Sequence, residues 1–128
     1  MDGHFDSQGC PRARIEAATG QVFDLVLNTA FTGELWMPKN ILRSLGFVSR
    51  GSVHVELPDG TIKPAELFAG NVNWFGRKLR VSAVASDGQS TCLGMSLLRR
   101  VSLTIDAAKN LVYLEAPFEG VPSPEAGK

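Results

Sequence analysis

Cysteine is scarce in this sequence. Cys10 and Cys92 are too few and too far apart for a disulfide scaffold, and neither belongs to a C-x-x-C pair of the kind that holds zinc. They read as two free thiols. An excess of charge of one sign is also missing: Lys plus Arg and Asp plus Glu are both 13, so the formal net charge is zero. No long-range field then favours nucleic acid or an anionic membrane, and little repulsion opposes self-association. No apolar run is long enough to span a bilayer, and the opening residues, with Asp2, His4 and Asp6, carry no apolar segment of the secretory kind. These absences predict a cytoplasmic protein with neither a nucleic-acid nor a membrane partner. No repeat period recurs along the chain.

What is present is ordinary globular material. Hydrophobic residues make up 44% and charged residues 20% of 128 positions, enough for a single core that buries about two-thirds of the unfolded surface. One domain is expected over residues 1–115. Pro117, Pro122 and Pro124 mark residues 116–128 as a flexible tail.

Strand patterns outnumber helical ones. Ala13 to Ala17 alternates as a half-buried or edge strand would, and Phe23, Leu25 and Leu27 share one face of a strand that should run through the core to Asn28. Leu35-Trp36-Met37 follows, then Pro38 to Gly46 reads as a short helix with Ile41, Leu42 and Leu45 on its apolar face. Val53, Val55 and Leu57 alternate, and Pro58-Asp59-Gly60-Thr61 supplies a hairpin turn. The return limb, Ile62 to Trp74, is interrupted by Pro64 and Gly70, which predicts an edge position or bulges. Further strands are expected over Leu79 to Ala85, Thr91 to Met95, Val101 to Ile105 and Leu111 to Glu115. Ser96 fits the N-cap of a second short helix. The class is mainly β, in a small barrel-like or sandwich arrangement.

Several chemistries fall away. Gly94-Met95-Ser96 begins like a nucleophile elbow, but Leu98 stands where the closing glycine is needed. His4 and His54 lack ligand-spaced neighbours and read as solvated surface residues. Arg77, Lys78 and Arg80, like Arg99 and Arg100, read as solvated basic faces. Phe23, Trp36, Phe68 and Trp74 are assigned to core packing.

Three features remain together. They are an apolar strand ending in Asn28-Thr29-Ala30, a polar-tipped hairpin, and Cys92-Leu93-Gly94 leading to Leu97-Leu98. In these residues the chain resembles the single-lobe, retroviral-type (retropepsin-like) aspartic proteases. The likeness is to their small prokaryotic branch, with its pattern D-T-G-F-T-G-E-L followed by a proline-initiated helix. Thr29, Phe31, Thr32, Gly33, Glu34 and Leu35 match that pattern, and Cys92 to Leu98 matches the second signature. The resemblance implies a single-lobe, retropepsin-like closed β-barrel with two short helices. It also implies a homodimer in which each copy contributes half of a site that cleaves extended peptides, with no metal and no cofactor. Asn28, Thr29 and Ala30 would hold the catalytic positions, with the Thr29 hydroxyl bonding across the dimer. Phe31, Thr32, Pro58, Asp59 and Gly60 would contact substrate, the last three in a hairpin acting as a flap.

The departures from the pattern bear on activity. In that family one carboxylate of a pair acts as base toward water while the other, protonated, donates to the scissile carbonyl. Asn28 stands at the aspartate position, and a carboxamide has no useful proton affinity near neutral pH. The chain is therefore expected to be inactive, through either an introduced replacement or a natural one. Otherwise it is a non-catalytic peptide-binding or dimeric interaction module. Ala30 replaces the usual glycine, and Met95 and Thr32 stand where retroviral members place an ion pair.

Overall fold

Period-two alternation of apolar residues runs through most of the chain and folds it into strands. The computed structural model describes residues 1–57 and 59–116. Pro58 and 117–128, which include nearly all of the expected tail, lie outside the described residues. Within the described residues the elements are His4–Phe5 (β1), Pro11–Ala17 (β2), Val22–Leu27 (β3), Leu35–Pro38 (β4), Lys39–Ser44 (α1), Val48–Glu56 (β5), Ile62–Trp74 (β6), Arg77–Ser86 (β7), Cys92–Leu93 (β8), Met95–Leu98 (α2), Ser102–Asp106 (β9) and Leu111–Glu115 (β10). The protein is mainly β with two short helices.

Eight strands form one sheet in the order β1-β2-β3-β8-β4-β7-β6-β5, and β6 also pairs with β2 through Glu16–Asn73 and Ala17–Val72. That extra pairing makes the sheet return on itself. The remaining strands, β9 and β10, form an antiparallel hairpin. The hairpin is tied to the start of the chain, where the Met1 ammonium donates to Leu114 O at 2.8 Å and Gly3 N to Val112 O at 2.8 Å.

The core fills from the alternating faces. Ala13, Ile15 and Ala17 of β2 and Phe23, Leu25 and Leu27 of β3 are buried together with Leu35, Met37, Leu42, Phe68, Val72, Leu93 and Leu97. Burying aliphatic and aromatic side chains of this size stabilises by about 1.5–3 kcal/mol each relative to exposure. The half-buried pattern expected of β2 is present, but β2 is an interior strand with partners on both sides.

Two expectations for β6 resolve differently. Residues 62–66 pair with β5 alone, because the β6–β7 ladder begins at Leu67–Val84. Pro64 therefore sits on an edge, where its missing N–H costs no ladder bond. From Leu67 to Trp74, by contrast, β6 is interior, and Gly70 is neither a break nor a bulge. A Cβ there would lie 2.6 Å from Phe47 Cγ, so the glycine leaves room for the Phe47 ring.

The irregularity lies in β5 instead. Between Ser49–Phe68 and Ser52–Glu66, residues Arg50 and Gly51 oppose the single residue Leu67, and Gly51 takes φ 108°. Such a bulge reverses strand parity, so Val48 and Arg50 before it share a face with Val53 and Val55 after it. Sequence alternation was legible only on the far side, which is why the strand is longer than Ser52–Leu57.

Further corrections concern single side chains. His4 is not simply solvated: its Nε2 lies 3.4 Å from Asp24 Oδ2, which also accepts from Arg12 Nε at 3.1 Å. Glu66 joins elements far apart in sequence, with Lys39 Nζ at 2.7 Å and Ser49 Oγ at 2.6 Å. The Lys39 ammonium, then the Ser49 hydroxyl, hold its carboxyl below the ordinary glutamate range. A depressed folded-state value stabilises above the unfolded titration range, and that contribution is lost as pH falls through the folded value. Glu66→Gln is expected to lower the urea midpoint slightly at neutral pH, with the gap to the parent closing in strong acid. An equal gap at both pH values would remove the ion pair as its cause.

Candidate functional site

Strand β3 carries its last backbone bond past Leu27, where Asn28 N donates to Leu93 O at 2.9 Å. Strand β8, only two residues long, is wedged between two others, parallel to β3 through Val26–Cys92 and Leu27–Leu93 and antiparallel to β4 through Leu35–Leu93 and Trp36–Cys92. The chain from Asn28 to Glu34 must therefore arch across the end of β8. The turn into α2 holds that arch: Met95 N donates to Phe31 O at 2.8 Å, Gly94 N to Glu34 O at 2.8 Å, and Ser96 N to Gly33 O at 3.1 Å.

Ser96 Oγ adds a bond to Thr32 O at 2.5 Å. This corrects the expected cap, because Gly94 occupies the N-cap of α2 and makes no side-chain bond, while Ser96 lies inside the helix and fastens the arch. Ser96→Ala is expected to cost about 1 kcal/mol, the net worth of an ordinary hydrogen bond, read as a lower urea midpoint at unchanged slope. An unchanged midpoint would show that the bond adds nothing to stability.

Within the arch Asn28 is half-buried, and Thr29 and Ala30 are exposed. Asn28 Oδ1 accepts from Ala30 N at 3.0 Å, Phe31 N donates to Asn28 O at 3.3 Å, and Asn28 Nδ2 lies 3.8 Å from Cys92 Sγ. The Phe31 ring meets Trp36 edge-on, with centroids 5.6 Å apart. Glu34 leaves the arch sideways, its Oε1 accepting from Ser82 N at 2.7 Å and Ser82 Oγ at 3.1 Å on β7.

A groove of about 540 Å³ opens between this arch and the β5–β6 hairpin. Asn28, Ala30, Phe31 and Thr32 line it from one side and Val55, Glu56 and Leu57 from the other, with Trp36, Ser90 and Cys92 completing the wall. Four of the eight expected site residues, Asn28, Ala30, Phe31 and Thr32, therefore line the groove. Thr29 does not line it. Asp59 and Gly60 lie at the hairpin tip, outside the lining, and Pro58 lies outside the described residues. At the tip Asp59 Oδ1 accepts from Thr61 Oγ1 at 2.7 Å and Thr61 N at 3.0 Å, and these bonds, the hydroxyl's first, hold its carboxyl below the ordinary range.

Sequence reading missed Val55, Glu56, Leu57, Ser90, Cys92 and Trp36 as lining residues. Trp36, assigned to the core, is only half-buried and has a face on the groove. Alternation places Trp36 opposite the buried pair Leu35 and Met37 along β4, and that was the available signal. Among the described residues no cluster of His, Cys, Asp or Glu is built to hold a metal. Both cysteines are free thiols.

A groove that sets Asn28, Thr32, Glu56 and Ser90 among Phe31, Trp36, Val55 and Leu57 and is bounded by a hairpin can hold an extended chain. No protein-family model matches the sequence, and neither does any curated protein. Among solved structures, the chain is similar to a retropepsin-like aspartic protease from Rickettsia conorii. The TM-score is 0.64 at 18% identity, over 89% of this chain and 88% of that one. The likeness defines the fold, which is retropepsin-like.

Proposed function

We propose that this chain is an aspartic-endopeptidase scaffold of the retropepsin type that binds an extended peptide as a homodimer and cannot hydrolyse it, because Asn28 stands where the general base belongs. The observation that carries the reading is the Asn28 carboxamide lining the groove beneath the β5–β6 hairpin, on an arch locked by Gly94, Met95 and Ser96. In this reading Asn28 and its copy meet at a two-fold axis, as closed symmetric pairs require. Thr29, exposed beside Asn28, bonds across that axis. The hairpin bearing Asp59 and Gly60 acts as a flap, and the return of β6 onto β2 makes the sheet a small closed barrel.

The chemistry follows from the group that is missing. A carboxamide can donate and accept hydrogen bonds but does not take a proton from water at neutral pH, so the site positions a peptide without activating a nucleophile. Backbone bonds to the flap and apolar contacts with Phe31, Trp36, Val55 and Leu57 supply affinity.

A second reading, a peptide-binding or dimeric interaction module with no latent catalysis, is favoured by the way Asn28 Oδ1 is taken up by Ala30 N inside its own loop. Restoring the carboxylate separates the two, and sedimentation tests the site they share. A dimer at micromolar concentration is expected, and a chain that stays monomeric when concentrated would refute a site built from two copies.

A further inference from the structure

A second concavity, of about 230 Å³, shares no lining residue with the Asn28 groove. Leu45, Val48 and Ala69 form its apolar part, and Arg50, Asn71 and Arg80 its polar part. Sheet register explains why these residues converge. Asn71 pairs with Arg80 across β6–β7, and Ala69 pairs with Val48 across β6–β5. Ala69 and Asn71 are two apart on β6, as Val48 and Arg50 are on β5, so all five share one face of the sheet. The bulge begins at Arg50, which ends the regular alternation there.

Two guanidiniums without an acidic partner stand on one concave surface, although most basic side chains among the described residues also lack such a partner. Arg12, Lys39 and Lys63 each have a carboxylate within 4.0 Å, whereas among the described residues neither Arg50 nor Arg80 has one. Both arginines are exposed at the mouth of the concavity. Two uncompensated positive charges on one face raise the local potential, and a guanidinium fork matches the oxygens of phosphate in paired hydrogen bonds. Asn71, the cross-strand neighbour of Arg80, adds an amide donor to the same lining. A concavity of about 230 Å³ has room for a phosphate group with a few carbon atoms beside it.

We propose that this concavity binds a small phosphomonoester. The dianion lies between Arg50, Asn71 and Arg80, and its organic body lies on Leu45, Val48 and Ala69. Two unit charges balance a dianion, and the apolar floor favours an ester over the free ion. The site is independent of the Asn28 reading, since neither arginine takes part in that groove.

The test is an amide-resolved NMR titration of the whole chain at constant ionic strength, with inorganic phosphate, phenyl phosphate and benzoate as probes. Saturable shifts centred on Gly46, Asn71 and Arg80 are expected, with phenyl phosphate binding several-fold more tightly than inorganic phosphate. Arg50→Gln and Arg80→Gln are each expected to weaken phenyl phosphate about tenfold, the loss of one charge-assisted pair. Arg50→Lys, which keeps the charge and loses the fork, should fall between. The proposal is overturned by shifts that do not saturate, by affinity unchanged in either glutamine variant, or by benzoate binding as tightly as phenyl phosphate. Both arginines are exposed, so an otherwise unchanged amide spectrum establishes that each variant is folded.

Discussion

Asn28→Asp is expected, on the proposed function, to give a chain that cleaves peptides at mildly acidic pH, with a rate at least about a hundredfold above the parent, the lower end of what a positioned general base contributes. Position and charge both favour this outcome. The backbone at residue 28 is held by Asn28 N on Leu93 O and by the arch bonds to Gly94, Met95 and Ser96; aspartate keeps the side-chain oxygen that accepts from Ala30 N and loses only the long Nδ2 contact with Cys92 Sγ at 3.8 Å. Aspartate is close in shape to asparagine, so it can occupy the same place. Two such carboxylates at a two-fold axis cannot both ionise cheaply and share one proton.

Activity should therefore rise as pH falls into the range where the pair holds one proton, and fall again when both are protonated. Cleavage of a peptide library, blocked by an inhibitor carrying a transition-state hydroxyl, is the measurement. A folded, dimeric Asn28→Asp chain without cleavage at any pH would sink the enzyme reading and leave the binding module. Ala30→Gly added to Asn28→Asp should raise activity further, because the methyl of Ala30 lines the groove and takes space from a bound peptide backbone.

Gly94→Ala is expected to be among the most damaging small substitutions in the chain. The added Cβ would fall 2.5 Å from Phe31 Cδ2 and 2.7 Å from Phe31 O, and closer still to Gly33 O. Two of those three atoms are backbone, fixed by the bonds that Met95 and Ser96 donate to them, so neither can swing aside. Relief requires the arch to move off β8, which breaks the bonds that hold it. Overpacking of this kind costs about 3 kcal/mol, on the order of 10 °C in the midpoint of thermal unfolding. Because the same arch carries Asn28, peptide binding followed by Trp36 fluorescence should weaken together with stability. A Gly94→Ala chain as stable as the parent would show that the arch is free to shift.

Much of the site's raw material could be read directly. The apolar run Phe23, Leu25, Leu27 announced a buried strand ending at Asn28, and Asp59-Gly60 announced the hairpin turn, because side-chain period and turn chemistry act over a few residues. Helix α1 was legible for the same reason, with Leu42 buried and Gly46 at φ 84° after its end. The misreadings came where a residue's role was set by something distant. Gly70 looked like a break because the Phe47 ring that needs its space is far away in sequence, and Trp36 looked like core because its groove exists only once Val55 and Leu57 fold over it.

Sequence alone determined that this chain is mainly β and that an apolar strand ends at a carboxamide, Asn28, the residue on which the proposed function turns. Those are statements about local pattern and about the chemistry of one side chain. Strand order, the two-residue wedge of β8 between β3 and β4, the bulge at Arg50 and Gly51, and the groove between arch and hairpin were decided only in three dimensions. Pairing partners are chosen by burial and hydrogen-bond satisfaction summed over the whole sheet, and no window of neighbouring residues contains that sum.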